Sequence, residues 1–138
     1  MPIELSYQSP FKLKHVKRIK QLLINIAQNE GYAIKNLSIV FTSDDFLLNI
    51  NRQYLKHDYY TDIITFDYNM IVTNAIYGEL FISIDRAKEN AVTFSITLDQ
   101  EILRLLIHGI LHLCGYTDDN FSSKQTMTRL ENNYLQTF

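Results

Sequence analysis

Residues 97–118 limit the possible folds more than any other stretch of the chain. Thr97 is followed three residues later by Gln100, a pairing that satisfies the free N–H groups at a helix start. The chain then runs without Pro to Cys114, and Gly115 stands where a left-handed cap is favoured because glycine has no Cβ to clash. The spacing predicts a helix from Leu98 to about Cys114.

The remainder alternates strands and helices. Ile3–Tyr7 reads as a strand closed by Ser9-Pro10, and a helix with Val16, Ile19, Leu23 and Ile26 on one face is expected from Phe11 to about Asn29, stopped near Gly31. Leu37–Phe41 is a β-branched run, and the cluster Thr42-Ser43-Asp44-Asp45 caps a helix over Phe46–Tyr54. Asp62–Tyr68 and Tyr77–Ile84 read as strands joined by a short linker, polar at Asn69 and Asn74. Helices are expected at Asp85–Ala91 and at about Ser122–Leu135, the last packing through Met127, Leu130 and Tyr134. The expected fold is α+β, a small mixed sheet of about four strands with helices against it. With 138 residues, 46% of them hydrophobic, and no repeat or linker, one domain over residues 1–138 is expected.

Nine tyrosines and eight phenylalanines exclude a disordered chain, and one cysteine, Cys114, excludes both an internal disulfide and an all-cysteine zinc site. Residues 1–18 lack the apolar stretch of a secretory signal and no run approaches a membrane span, so a cytoplasmic protein is expected. The net charge of -2 does not mark a polyanion binder as a whole, although Lys12, Lys14, Lys17, Arg18 and Lys20 gather near the N-terminus. That cluster reads either as a solvated helix face or as an RNA-backbone contact.

The chemistry lies at the end of the marked helix. His108 and His112 are four residues apart, which stacks them on one face with Cβ atoms about 5 to 6 Å apart. Gly115 allows a reversal that returns Asp118 to that face, with Asp119 and His57 as rival third ligands. Two imidazoles and one carboxylate suit zinc and leave a fourth position for water, whose pKa zinc brings near neutrality. That is hydrolytic rather than structural chemistry. A zinc peptidase of the H-E-x-x-H kind needs a Glu after the first His, and here that residue is Gly109, which disfavours the peptidase alternative. A non-catalytic RNA-binding factor with a structural ion is the other alternative. Gly109 itself makes room either for a ligand beside the ion or for a close helix-to-strand contact.

The stretch from His108 to Tyr116, HGILHLCGY, resembles the H-G-x-L-H-L-x-G-Y signature of the YbeY family of bacterial rRNA maturation factors. Thr61–Phe66 is similar to that family's T-D-V-L-S-F strand, Gly78–Ser83 to its G-D/E-I-x-I-S strand, and Met127-x3-Glu131 to its last helix. The resemblance implies a zinc-dependent, single-strand-specific endoribonuclease acting on ribosomal RNA, notably the 3′ end of the small-subunit RNA, and in ribosome quality control, with the small subunit as partner. Two positions depart from the pattern. Thr117-Asp118 stands where the family has Asp-His, so carboxylate replaces the third imidazole, and Leu55 occupies the place of a family Arg. Arg52 and Lys56 are the candidates for the positive charge that Leu55 lacks, with catalytic, phosphate-stabilising roles. Tyr54, Tyr59, Tyr60 and Tyr68 offer either packing or stacking on unpaired bases. Asp62 is either a partner that orients a ligand histidine or a strand-start hydrogen bonder, and Cys114 is expected to pack.

Overall fold

The computed structural model describes residues 2–69 and 73–138, so the linker of 69–74 runs partly outside the described residues. Four strands, β1 (Ile3–Tyr7), β2 (Ala33–Thr42), β3 (Ile63–Asp67) and β4 (Ala75–Ser83), form one sheet in the order β1-β2-β4-β3. β1 and β4 each pair parallel with β2, whereas β3 pairs antiparallel with β4 and is an edge strand. The expected small mixed sheet of four strands is therefore observed.

Among the described residues five helices accompany the sheet: α1 (Val16–Asn29), α2 (Asp44–Leu55), α3 (Ile84–Phe94), α4 (Leu98–Leu113) and α5 (Phe121–Gln136). Side chains alternate between the two faces of a strand, and β4 shows where the helices lie. Leu80 points to α4, close to Gly109, while the next residue, Phe81, points the other way and meets the ring of Phe46 on α2 at 6.3 Å. α4 is the hub of its face, touching α1, α3, α5, β3 and β4. Ten of its residues are buried. Eight of these, all but Glu101 and Gly109, join Leu23, Leu37, Ile39, Phe41 and Ile82 in the main core.

Helix α1 begins five residues later than its apolar pattern suggests. Phe11 is drawn onto the sheet end instead, its ring 5.2 Å from that of Phe41, and Leu13 donates its N–H to the Tyr7 hydroxyl at 3.3 Å. His15, at φ 55, then turns the chain into the helix. β2 begins four residues earlier than expected, because its polar half pairs with β4 through a register shift between Ile34 and Asn36. The remaining boundaries agree with the sequence reading to within a few residues. The caps behave as their side chains dictate: Ser43 Oγ accepts from Phe46 N–H, and Thr97 and Gln100 form the reciprocal box.

Two glycines set how closely α4 lies on the sheet. A Cβ on Gly109 would stand 2.8 and 2.9 Å from the Leu80 methyls and 3.2 Å from Ile63 Cδ1, so its use is close helix-to-strand packing. A Cβ on Gly78 would meet Leu113 methyls at 2.9 Å and the Phe66 carbonyl oxygen at 2.9 Å. That oxygen is part of the β3 backbone and has no rotamer through which to escape. Gly78→Ala should therefore lower stability by about 1–3 kcal/mol, read as a lower urea midpoint with an unchanged slope; an unchanged midpoint would mean that α4 and β3 are not seated as described.

Candidate metal centre

The end of α4 is shaped by its backbone before any side chain acts. Gly115 has φ 99, Tyr116 N–H donates to Leu111 O at 3.1 Å and Gly115 N–H to His112 O at 3.0 Å, the paired bonds that close a helix through a left-handed residue. The chain leaving this turn is anchored by Tyr116, whose hydroxyl donates to Glu30 Oε1 at 2.6 Å. Tyr134 of α5 donates to the other oxygen of Glu30. The phenol of Tyr116, held against that carboxylate, is pushed up to about 12. The anchored turn carries Asp118 back over the last two turns of α4.

There three side chains converge. His108 Nε2 lies 3.0 Å from His112 Nε2, Asp118 Oδ2 is 3.4 Å from His108 Nε2, and Asp118 Oδ1 is 3.7 Å from His112 Nε2. Donor atoms at about 2.0–2.2 Å from one tetrahedral ion stand roughly 3.3–3.6 Å from each other, so the observed separations bracket that requirement. The donor set can thus hold a metal ion, and its N, N, O composition is borderline in softness, as zinc and similar transition ions prefer. Neither Asp119 nor His57 belongs to this cluster.

Protonation agrees with ligation. His112 is driven below its ordinary value chiefly by burial and then by the neighbouring His108, while Asp118 and the backbone of Tyr116 pull the other way. A neutral imidazole with a free lone pair is the form that binds metal. His108 Nδ1 meets Glu131 Oε2 at 2.5 Å, and a ring that donates from Nδ1 to a carboxylate presents its lone pair at Nε2.

The cluster lies in a cleft of about 550 Å³, lined also by Asn51, Leu55, His57, Tyr59 and residues of β3. Ser83 N–H bonds to Asp62 O and Tyr68 N–H to Tyr77 O, which fixes the ladder on the even-numbered residues of β3. Thr65 and Asp67 therefore turn their backbone N–H and C=O outward along the open edge, and both line the cleft. Buried Asn51 holds the rim through a 2.8 Å bond from its amide to Tyr59 O.

Arg52 and Lys56 are not brought into this lining. Arg52 is tied to Asp58 by an ion pair on the surface, and Lys56 occupies the left-handed cap of α2 between the lining residues Leu55 and His57. Asp62 does not meet a ligand histidine; its Oδ2 accepts from Asn90 at 3.0 Å. The four tyrosines are half-exposed and packed on one side only: Tyr54 edge-on against Phe66, Tyr68 stacked on Phe66, Tyr59 on His57, and Tyr60 beneath the Arg86 guanidinium.

What motif reading missed is the support behind the ligands. Glu131, seen only as part of the last helix's resemblance, is buried against His108, and Glu101 and Arg104 had no assigned role. Their signal was present, since Glu101, Arg104, His108 and His112 follow each other at spacings of three and four, a polar stripe on an otherwise apolar helix.

Fold and cluster together define an α+β protein in which three converging donors, able to hold a metal ion, are set between a helix end and an edge strand. The family described as Endoribonuclease YbeY matches residues 5–138, and the chain belongs to that family. Among its relatives, the Endoribonuclease YbeY of Cytophaga hutchinsonii is 46% identical over 121 residues, 88% of this chain and 84% of that protein. The one from Phocaeicola vulgatus is 42% identical over 134 residues, 95% and 96% of the two chains. The solution structure of TM1509 from Thermotoga maritima, 27% identical, superposes with a TM-score of 0.68 over 97% of this chain and 87% of its own.

Cys114, next to the ligand helix end, is buried, and burial raises its thiol to about 12. A hidden, protonated thiol is a poor nucleophile. The native protein at pH 8 should leave a disulfide reagent such as dithionitrobenzoate almost uncoloured, with one equivalent released on addition of urea; rapid native reaction would contradict the packing of this turn.

Proposed function

We propose that this chain is a zinc-dependent endoribonuclease that cuts single-stranded RNA. The observation that carries this reading is the convergence of His108, His112 and Asp118 at the foot of a cleft whose opposite wall is an open strand edge. When bound, the ion supplies Lewis acidity toward a phosphodiester and lowers the pKa of water in its sphere. His108 and His112 would hold it through ring nitrogens and Asp118 through a carboxylate oxygen. The outward N–H groups of Thr65 and Asp67 offer donors to a strand laid along the cleft. Tyr59 and Tyr68 present half-exposed rings on which unpaired bases can stack. Arg52 and Lys56, outside the lining, are assigned to the RNA backbone beyond the cleft, with their charge acting on flanking phosphates.

The family resemblance supports a more particular reading: ribosomal RNA as substrate, the 3′ end of the small-subunit RNA as the place of maturation, a part in ribosome quality control with the small subunit as partner, and action in the cytoplasm as a single domain. The peptidase alternative lacks its base, because the position after His108 is a glycine pressed against Leu80 and Ile63.

The test is to incubate metal-loaded protein with a labelled single-stranded RNA, the same strand in a duplex, a transcript extending past the small-subunit 3′ end, and a peptide. Single-stranded RNA should be cut, and a chelator should stop the reaction. His112→Ala and Asp118→Ala should each lose activity on the order of a hundredfold or more together with bound metal. Unchanged metal content in both variants, or cleavage of peptide but not RNA, would overturn the proposal.

A further inference from the structure

Behind the ligand face of α4 runs a buried series of polar contacts that the proposed reaction leaves unused. Glu101, fully buried, takes Arg104 with both oxygens, Nε to Oε1 and Nη2 to Oε2 each at 2.7 Å. Arg104 Nη1 then reaches Glu131 Oε1 at 3.4 Å, and Glu131 Oε2 meets His108 Nδ1 at 2.5 Å. In the other direction Asn90 donates to Glu101 Oε2 at 3.0 Å and to Asp62 Oδ2 at 3.0 Å. Because Asp62 and His108 both line the cleft, the series leaves its wall and returns to it.

The charges do not balance within this group. Two buried carboxylates share one guanidinium, and the short two-point grip commits that guanidinium to Glu101. The excess negative charge therefore falls on Glu131, where the nearest donor is the imidazole of His108. A buried charge needs hydrogen-bonded compensation, and the 2.5 Å contact with His108 Nδ1 supplies it when that nitrogen carries the ring's proton. A ring held in that way is fixed in orientation, keeps its lone pair on Nε2, and is a stronger donor to a metal.

We propose that Glu131, itself held by Arg104, is a positioning residue of the metal centre: it locks His108 in the form that presents Nε2 and strengthens it as a ligand. The proposal rests on the reading of His108, His112 and Asp118 as the metal site. It accounts for a carboxylate on α5 in a place where packing alone would favour an apolar side chain.

Zinc affinity separates this role from a merely structural one. Metal-stripped wild type, Glu131→Gln, Glu131→Ala and Asp118→Ala are titrated with zinc against a chromophoric chelator, and thermal unfolding of each is followed without metal. Glutamine matches the size of Glu131 but offers an oxygen to only one of the two donors facing it. Glu131→Gln should therefore fold and bind zinc about 10- to 100-fold more weakly. Ring-nitrogen NMR of the zinc-free wild type should show His108 protonated on Nδ1, a reading that holds even if Glu131→Ala fails to fold. Equal zinc affinity in wild type and Glu131→Gln, or a His108 proton on Nε2, would overturn the positioning role alone. Wild type that takes up no zinc would overturn the metal centre and this proposal with it.

Discussion

Helix α4 is packed against the sheet and three other helices, so beyond its exposed first turn its polar side chains need partners within the protein. An unpaired charge in such a place would be prohibitive, and a half-satisfied group costs more than an apolar one. Glu101, Arg104, His108 and His112 occupy one stripe of this helix, and each is paired: Glu101 with Arg104 and Asn90, Arg104 with both glutamates, His108 with Glu131, and the two imidazoles with Asp118. The pairing places the ligand histidines at one end of the stripe and their supporting charges at the other. The short bonds from Arg104 to Glu101 outweigh desolvation and keep the guanidinium charged.

The sheet serves this helix in two ways. Its central strands supply a flat apolar surface, which α4 approaches closely at Gly109 and Gly78. Its reversed strand, β3, stops the sheet at the cleft and leaves an unpaired edge facing the ligands. Had β3 been followed by another strand, the cleft would be filled by backbone ladder. A single antiparallel strand on an otherwise parallel sheet thus opens the site, while the anchored turn after Gly115, tied to Glu30 through Tyr116, closes it from the other side.

Charge around the cleft has an unusual distribution for a protein read as acting on a polyanion. The lining carries Asp62, Asp67 and Asp118 with three histidines, and neither Arg nor Lys is among the described lining residues. An ion held by the histidine and aspartate cluster would bring positive charge into the cleft, and metal loading and affinity for phosphate would then be two aspects of one event. The basic residues near the N-terminus lie outside this lining, and three of them make local contacts: Lys12 over the Tyr7 ring, Lys14 with Asp99, and Arg18 over Phe138.

The sequence by itself determined the elements whose causes are local. The box at Thr97 and Gln100, the left-handed stop at Gly115, the four-residue spacing of His108 and His112 and the β-branched strands all follow from backbone sterics and periodicity, which act over a few residues. The start of α1 was misread because Phe11 obeys a distant partner, the ring of Phe41, rather than helical spacing. Only the tertiary structure decided that β3 sits reversed at the sheet edge, that Arg52 pairs with Asp58 at the surface while His57 and Tyr59 face the cleft, and that Glu131, 23 residues from His108, stands behind it. These are pairings across loops, whose partners are selected by packing and by the need to neutralise buried charge, and no local pattern encodes which partner wins.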